Sequence, residues 1–502
     1  MSPVQMPANG QPAPLPAPAH RRLLMSALQA VLPADSVLWR EEELRPYECD
    51  GLTAFRQVPL LVVLPWTEEQ VRNALAVCRR LHVPVIARGA GTGLSGGALP
   101  LAGGVVLSLA RLNRILEVDP LARLARVEPG VRNLAVSEAA APYGLYYAPD
   151  PSSQIACSIG GNVAENSGGV HCLKYGLTVH NVMRVRGYTI EGELLELGSS
   201  ALDNAGLDLL AVAIGSEGLL LVVTEVTVKL IPRPQLAQLV MASFDDVTKA
   251  GDAVAAILAA GIIPAGLEMM DRKATAAVEP FVHAGYDLAA EAILLAEADG
   301  TPEEVADQIA EIERIVRRAG ATSIAVSGSE AERLRFWSGR KNAFPAAGRV
   351  SADYYCMDGT IPRKQLGSVL KAIGQMETEF GLQCMNVFHA GDGNLHPLIL
   401  FDANAPGEWP RAERFGARIL ELCVQLGGTI TGEHGVGIEK INSMCVQFSA
   451  AERAAFFAVK RAFDPPGLLN PGKVIPTLAR CAEYGKMHIR RGVLPHSELP
   501  RF

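Results

Sequence analysis

The spacing of apolar residues changes along this chain of 502 residues, and the changes mark its elements. Between 68 and 81, apolar side chains recur once per helical turn, at Val71, Leu75, Cys78 and Leu81. That spacing predicts a helix packed on one face, with Thr67 in position to cap it. Short apolar runs predict buried strands at 60–64, 83–87 and 105–109. A further short helix is predicted over 23–31.

The rest of the chain continues this mixture of helices and strands. Strands are predicted at 182–190 and 194–197, with Glu191-Gly192 as their turn, and an apolar run follows to Leu230. The Pro-rich stretch 231–234 then breaks the pattern and marks a domain boundary. Later helices are predicted at 246–260, 302–319, 364–381, 413–426 and 450–463, a strand at 292–297, and a hairpin over 385–401 that turns at 391–394. The mixture predicts an α+β or α/β sheet in each half, and we take α+β as the fold class. We expect two or three lobes, because one core rarely serves so long a chain.

Composition narrows the range of partners. The chain has 46 basic and 53 acidic residues, a net charge of −7, which disfavours nucleic acid as the main partner. No uncharged apolar run reaches the roughly 18 residues that a membrane span requires. The nine cysteines are scattered without a C-x-x-C pair, so they indicate free thiols in a reducing cytoplasm and no iron–sulfur cluster.

A glycine-rich segment follows the third predicted strand. It contains a bare G-x-G-x-x-G pattern at 91–96, but it leads into a strand, whereas a Rossmann loop leads into a helix. Closely spaced glycines nevertheless let several backbone N–H groups turn toward one anion, so we predict a phosphate cradle, with a purely structural turn as the alternative. Its cofactor-binding residues are Arg88, Gly89, Ala90, Gly91, Thr92, Gly93, Leu94 and Ser95.

A second stretch of small and polar residues runs from 149 to 169. Its side chains are suited to donating hydrogen bonds to a long polar ligand, and the alternative is an ordinary polar loop. The residues predicted to bind the same ligand are Pro149, Asp150, Ser153, Ser158, Gly160, Gly161, Asn162, Asn166, Ser167 and Gly168.

Histidines and a carboxylate form a second chemical group. His389 and His396 flank the predicted hairpin turn, which brings them side by side, and Glu433-His434 lies in a later motif. Two imidazoles and a carboxylate make a plausible divalent-metal site, and a neighbouring neutral histidine can act as a base. Arg340 is the candidate for binding a substrate carboxylate, with a solvated surface arginine as the alternative.

The first half resembles the FAD-binding domain of the vanillyl-alcohol oxidase type. The resemblance rests on residues 88–97, PDPSS at 149–153, SIGGN at 158–162 and GSEG at 215–218, and it adds Gly218 to the cofactor-binding residues. In that family the first loop holds the FAD pyrophosphate and the second runs past the flavin. No histidine follows the first loop closely, so the resemblance implies non-covalent FAD.

The second half resembles the C-terminal domain of FAD-linked oxidases through HAGDGNLH, GEHGVG and NPGK. The resemblance implies that His389, His396 and Glu433 bind a metal such as Zn, Mn or Fe, that His434 is the base, and that Asn470 lies near the flavin. The domains expected are a disordered tail at 1–20, a helical segment at 21–53, the FAD-binding domain at 54–233, the substrate domain at 234–478 and a C-terminal tail at 479–502.

The resemblance also narrows the reaction to oxidation of a 2-hydroxy acid by hydride transfer. Leu398, Phe344 and Cys356 stand where 2-hydroxyglutarate enzymes have polar contacts, which disfavours a second carboxylate on the substrate. Several stretches look closest to the D subunits of glycolate oxidases, implying glycolate, with D-lactate possible. The implied partners are companion subunits, including an iron–sulfur protein, with only peripheral membrane association.

Alternatives to this reading remain open. A D-lactate dehydrogenase is the rival within the class. A non-redox alkyl transferase of the same FAD fold is a rival from another class. A subunit that binds FAD without catalysis is disfavoured by the histidine and carboxylate motifs.

Overall fold

The computed structural model describes residues 17–201 and 206–477. The predicted tail 479–502 and most of the predicted tail 1–20 lie outside these residues. The α-helices of the described residues are Ala17–Gln29, Glu41–Leu44, Glu68–Arg80, Asn133–Ala140, Ile159–Glu165, Cys172–Tyr175, Thr178–Asn181, Leu209–Ala213, Val247–Ala259, Arg272–Val282, Pro302–Arg318, Glu330–Lys341, Ala343–Val350, Leu366–Phe380, Glu408–Gln425, Met444–Gln447 and Ala450–Phe463.

The described strands form four sheets. The first, in spatial order, contains Val37–Leu38, Leu61–Val63, Val105–Ser108 and Val85–Arg88. The second contains Ile115–Asp119, Leu124–Val127, Val222–Lys229, Val182–Tyr188 and Leu194–Gly198. A small pair joins Ile231–Pro232 to Leu145–Tyr146. The largest contains Ser323–Val326, Leu236–Phe244, Ala292–Gly300, Gly266–Asp271, Gln383–His389, Asn394–Phe401 and Asp353–Cys356.

The first sheet places the glycine-rich loop. Strand Val85–Arg88 pairs in parallel with Val105–Ser108, and the sixteen residues between the two strands include the glycine-rich loop 89–97. The helix Glu68–Arg80 precedes the loop, and the Thr67 side chain accepts a hydrogen bond from the backbone N–H of Gln70 at its start. The cap, the helix and its buried face are therefore as the sequence predicted, and the loop leads into a strand as expected.

The largest sheet carries the histidines. Along Leu236–Phe244, side chains alternate between two separate buried clusters, so both faces of the sheet are covered by helices. Strands Gln383–His389 and Asn394–Phe401 form the predicted hairpin, in which His396 lies opposite Val387. Because His389 and Val387 lie two residues apart, His389 and His396 share one face. Their ring centroids are 5.0 Å apart.

Several elements differ from the sequence-based expectation. The first helix begins at Ala17, six residues before the predicted start, and a late helix begins at Glu408 instead of Glu413. The helix Ile159–Glu165 was not predicted, since Gly160 and Gly161 have low helix propensity. It forms because the Ser158 side chain caps it, accepting a hydrogen bond from the Gly161 N–H at 3.3 Å.

Two further observations concern the whole described chain. All eight cysteines among the described residues are free thiols. No helix formed by these residues has the length and the apolar character that a membrane crossing requires. The long helices are amphipathic, with charged residues on their outer faces, as Pro302–Arg318 illustrates.

Candidate active site

A cavity of about 390 Å³ lies between the two halves of the chain. Its wall contains residues of both glycine-rich stretches, and its other side is formed by the motifs of the C-terminal half. The residues contributed by that half are Lys341, Phe344, Pro345, His396, Glu433 and His434. Two groups that the sequence separates by about 300 positions therefore meet at one cavity.

The first glycine-rich loop offers its backbone to this cavity. None of the backbone N–H groups from Gly89 to Gly97 donates to an acceptor within the described part of the chain. Gly89 in this loop also packs tightly against the second glycine-rich stretch, because a Cβ at this position would collide with Ser158 Oγ. A run of unpaired N–H groups beside a cavity is the arrangement that binds an anion such as a pyrophosphate. The loop therefore fits the phosphate part of FAD.

Most of the predicted cofactor-binding residues line this cavity. They are Arg88, Gly89, Ala90, Gly91, Thr92, Gly93, Leu94, Ser153, Ser158, Gly160, Gly161, Asn162, Ser167 and Gly218. Arg88 is largely buried, and its guanidinium donates a hydrogen bond to the backbone carbonyl of Cys49 at 2.7 Å. The Asn162 Nδ2 group is buried without a hydrogen-bond partner among the described residues, so it remains free to donate to a ligand.

The other predicted cofactor residues are not on the cavity wall, and the structure gives them other contacts. Ser95 Oγ donates to the carbonyl of Gly435 at 3.0 Å, and Asn470 Nδ2 donates to the carbonyls of Gly97 and Glu217 at 3.0 and 2.7 Å. These two residues tie the loops of the two halves together. The remaining four residues make contacts within the protein. The Pro149 carbonyl accepts a hydrogen bond from the Asn133 side chain, and the Asn166 side chain accepts one from the Val179 N–H. Asp150 forms an ion pair with His171, and Gly168 packs against Glu433.

His389, His396 and Glu433 are brought together as predicted. Nε2 of His389 lies 3.2 Å from Glu433 Oε1, and Nε2 of His396 lies 2.9 Å from the same oxygen. The opposite nitrogens are held in place, since Nδ1 of His389 is 2.7 Å from Glu268 Oε1 and Nδ1 of His396 is 3.3 Å from the Met357 carbonyl. Fixing Nδ1 in this way aims Nε2 at a shared point, as in metal-binding histidines.

The charges around these histidines are also those of a cation site. Burial disfavours a proton on His389, but Glu268 and Glu433 outweigh it and raise its pKa well above the ordinary value. Burial has the opposite effect on Glu433, and His389 and His396 lower the pKa of its carboxyl well below the usual range. The two carboxylates therefore favour a positive charge between them, which a protonated His389 or a bound cation can supply.

A more compact donor set also exists at this place. Donor atoms of Asp358, His396, Glu433 and His434 lie within 4.8 Å of one another, as do those of Cys356, His396 and His434. Asp358 is a poor candidate for a ligand, because both of its oxygens already accept hydrogen bonds from backbone N–H groups. His389 belongs to neither compact set, and its Nε2 lies 3.2 Å from Glu433 Oε1.

Arg340 lies behind His389 and not on the cavity wall. Its Nε donates to Glu268 Oε2 at 2.6 Å, and its Nη2 lies 3.4 Å from His389 Nε2. With a side chain 1% exposed, Arg340 is not the solvated surface residue that the sequence left open as an alternative. The next residue, Lys341, does line the cavity.

The loop that carries Glu433 and His434 is anchored by Asp358. The carboxylate of Asp358 accepts hydrogen bonds from the backbone N–H groups of Gly432, Glu433 and His434, and from the Thr431 hydroxyl at 2.6 Å. Above this anchor, the His434 ring stacks on that of His396, with centroids 4.9 Å apart. Burial lowers the pKa of His434 to about 4, although Asp358 opposes the shift, so its imidazole is neutral near pH 7.

Two important residues of this site were missed by the sequence analysis. Glu268 lies between apolar residues in the strand Gly266–Asp271 and is 1% exposed, so a charge within a buried strand was the available signal. Asp358 follows the strand Asp353–Cys356, and nothing in the local pattern connects it with residues 431–434. Both act on partners more than 70 positions away in the sequence.

Fold and site together define a flavin-dependent oxidoreductase with a bipartite cavity. Residues 59–198 match the model of an FAD binding domain, and residues 233–474 match that of the FAD linked oxidases, C-terminal domain. The chain belongs to the FAD-linked oxidases, and its cofactor is FAD. The FAD-binding match includes the glycine-rich loop and most strands of the four-stranded and five-stranded sheets.

Curated relatives support this assignment over nearly the whole chain. Glycolate oxidase subunit GlcD of Escherichia coli (strain K12) is 62% identical over 96% of this chain and 97% of its own length. Glycolate oxidase subunit GlcD of Bacillus subtilis (strain 168) is 37% identical over 86% and 93%. D-lactate dehydrogenase of Anaerostipes hadrus is 31% identical over 83% and 89%.

Solved structures share the fold at lower identity. A substrate-bound p-cresol methylhydroxylase superposes with a TM-score of 0.77 at 18% identity, covering 91% of this chain and 96% of that one. An alkyldihydroxyacetonephosphate synthase superposes with a TM-score of 0.71 at 19% identity, covering 90% and 84%. The predicted α+β fold with an FAD-binding domain of the vanillyl-alcohol oxidase type is thereby confirmed.

Proposed function

We propose that this protein oxidises glycolate to glyoxylate, using FAD as the hydride acceptor. The observation that carries the proposal is the shared cavity, where the anion-binding loop of residues 89–97 and the pair Glu433-His434 line the same space. The 62% identity to a glycolate oxidase subunit supports the choice of substrate. D-lactate is the second substrate to test, because D-lactate dehydrogenases are also relatives.

In this proposal, one group of residues binds FAD and another accepts the substrate proton. Bound FAD supplies the acceptor for the hydride that leaves the substrate carbon. Residues 89–94 hold the pyrophosphate through their unpaired N–H groups. His434, neutral because burial lowers its pKa to about 4, accepts the hydroxyl proton. Asp358 keeps His434 in place through its hydrogen bond to the backbone.

We further propose a divalent metal held by His389, His396 and Glu433. A metal there supplies positive charge that polarises the substrate hydroxyl and lowers its pKa. Two imidazole nitrogens and one carboxylate are the donors of a catalytic zinc site or a related divalent site with an open position. Glu268 orients His389, and the Met357 carbonyl orients His396.

Recognition of the substrate is assigned to groups beside the histidines. Arg340 remains our candidate for the carboxylate, because a guanidinium has five donors and only some are used by Glu268. Lys341 is the second candidate, since it lines the cavity directly. Phe344 lines the same wall and packs edge-on against His396, with ring centroids 6.1 Å apart, which favours a small substrate.

We also propose that the FAD-binding domain spans residues 54–233 and that the substrate domain spans residues 234–478.

Reduced flavin must pass its electrons onward. Two of the relatives above are named as subunits of glycolate oxidase, which supports companion subunits for this chain as well. We propose an iron–sulfur protein among them, because no cysteine spacing in this chain suits a cluster. A cytoplasmic location, with peripheral contact to the inner membrane through these partners, completes the proposal.

The first test is reduction of the flavin by substrate. Glycolate, D-lactate and D-2-hydroxyglutarate are added separately to the anaerobic protein, and the visible flavin band is followed. We expect bleaching by glycolate. Bleaching only by another acid would reassign the substrate, and no bleaching by any acid in the metal-loaded protein would favour a non-redox reaction.

His434→Ala tests the proton acceptor in the same assay. We expect the rate of anaerobic bleaching to fall by about 10²- to 10⁴-fold, the usual contribution of general base catalysis. The flavin absorbance before substrate addition is the control, and it should not change. An undiminished rate would remove His434 from the mechanism.

A further inference from the structure

The buried Glu217 and the half-buried Glu165 meet at the cavity end that lies nearest the histidines. Glu165 ends the helix Ile159–Glu165, and Glu217 lies in the GSEG segment; both line the cavity. A Cβ on Gly435 would collide with Glu165 Oε2 and would lie 2.9 Å from Glu217 Oε1, so the two carboxyl groups flank one point. Two carboxyl groups this close cannot both be ionised at low cost.

Hydrogen bonds decide which member of the pair is charged. Glu217 Oε1 accepts from the Val436 N–H and Oε2 from the Gly437 N–H, each at 2.7 Å. Both oxygens therefore act as acceptors, which favours the carboxylate form. Glu165 Oε2, in contrast, is buried without a hydrogen-bond partner among the described residues. The proton therefore belongs on Glu165.

The surrounding charges are consistent with a neutral Glu165. Burial, together with the negative charges of Glu217 and Asp50, raises the pKa of Glu165 well above its ordinary value. Lys440 and Lys473 act in the opposite direction, but their ammonium groups donate to other acceptors. Lys440 donates to Asp358 and the Gly435 carbonyl, and Lys473 donates to the carbonyls of Gly97 and Leu99.

We propose that Glu165 carries a proton at neutral pH and donates a hydrogen bond from its acid O–H to the ring system of bound FAD. The proposal rests on the function proposed above. A hydride acceptor must lie near His434, because hydride and proton leave adjacent atoms of one substrate. Glu165 is at that end of the cavity, beside Gly435 and within 2.8 Å of a Cβ built on Gly97.

The test is infrared difference spectroscopy on the FAD-loaded enzyme, reduced with dithionite so that no substrate is needed. We expect the carbonyl stretch of a protonated carboxylic acid, a shift of that band when the flavin is reduced, and its loss in Glu165→Gln. The matched control is Glu225→Gln, since Glu225 forms ion pairs with Arg126 and Arg184 on the second sheet and does not line the cavity. Its spectrum should keep the band.

FAD affinity gives an independent readout. Glu165→Gln keeps a donor, so its FAD dissociation constant should stay within about threefold of the wild type, whereas Glu165→Ala should bind about tenfold more weakly, as expected for one lost hydrogen bond. The proposal would be overturned if the carboxylic-acid carbonyl band were still present in Glu165→Gln, or if it did not shift when the flavin is reduced. A band that shifts with dithionite in a protein that glycolate does not bleach would leave it standing and reject glycolate oxidation.

Discussion

Asp358 and Lys440 form an ion pair, with 3.2 Å between Oδ2 and Nζ, in which both side chains are fully shielded from solvent. The pair lies beneath the loop that carries Glu433 and His434. Lys440 lowers the pKa of the Asp358 carboxyl far below the usual range, even though burial alone would raise it. Lys440 also donates to Ser95 Oγ at 3.2 Å, so the same pair connects the histidine loop with the glycine-rich loop.

The first prediction concerns this pair. Asp358→Asn should lower the free energy of unfolding by up to about 3–5 kcal/mol, because the buried Lys440 charge loses its nearest carboxylate and keeps only Glu439, at 3.6 Å. Turnover should fall by about 10²-fold, the cost of a small displacement of catalytic groups. Denaturant unfolding and glycolate turnover measure the two effects.

The double variant Asp358→Asn with Lys440→Met supplies the control. Removing both charges should restore much of the stability without restoring turnover, since the anchor of the loop is still altered. Recovery of full turnover in the double variant would show that Asp358 does not position His434.

The second prediction concerns Glu268, which orients His389. Glu268→Gln should weaken binding of Zn²⁺ or Mn²⁺ by about 10- to 100-fold, the usual effect of losing a group that orients a metal ligand. Competition with a chromophoric chelator measures the metal affinity. Glu291→Gln is the control, because Glu291 is half-exposed and its side chain forms an ion pair with Arg272 and not with the histidines. Equal metal affinity in the two variants would argue against the metal site.

The third prediction separates Arg340 from Lys341. If Arg340 holds the substrate carboxylate, Arg340→Lys should raise the KM for glycolate by about tenfold or more, because a charge-assisted hydrogen bond is lost. Lys341→Met should leave KM within about twofold under the same assignment. A raised KM in Lys341→Met with an unchanged KM in Arg340→Lys would mean that Lys341 binds the substrate carboxylate. Arg340 would then act only as the partner of Glu268.

Local patterns predicted those parts of the molecule whose partners are close in the sequence. The helix Glu68–Arg80 and the hairpin around residues 391–394 follow from periodicity and turn residues, and the hairpin alone brings His389 and His396 together. Glu268 could not be predicted in this way, because it meets His389 across 121 positions. Its strand is buried on both faces, so no alternation of polar residues reveals its direction.

Motifs and geometry also differ in what they assign. The GEHGVG motif identified Glu433 and His434, but the anchor that fixes them, Asp358, comes from a segment without a motif. Ser95 and Asn470 belong to motifs, yet their side chains join loops and do not line the cavity. A motif thus identifies a segment of the site, while the structure decides which of its atoms are available to a ligand.

The last prediction is a pH dependence of stability at His171, which joins the two halves of the chain. Nδ1 of His171 is 2.7 Å from Asp150 Oδ2, and Nε2 is 3.2 Å from Glu297 Oε1 in the largest sheet. Burial opposes protonation, but these carboxylates raise the pKa of His171 to about 10. Glu297 is affected in the opposite direction, since His171 and Arg333 outweigh its burial and lower its pKa to about 2.

The signs of the two effects define a stability plateau. A raised histidine pKa stabilises the fold fully below 6.5, the value without these contacts, and the contribution is lost as the pH rises toward about 10. A lowered carboxyl pKa stabilises the fold above 4.5, and that contribution is lost as the pH falls toward about 2. The free energy of unfolding should therefore be highest between about pH 4.5 and 6.5 as far as this pair decides it.

His171→Gln separates this contact from other titrating groups. The variant should lose about 1.5–3 kcal/mol at pH 6, the range for hydrogen bonds to charged groups, and should lose much less at pH 10. Urea unfolding at a series of pH values measures both. A difference between variant and wild type that stays constant from pH 6 to pH 10 would mean that His171 is neutral, and that the two halves are joined by packing and by uncharged hydrogen bonds at this contact.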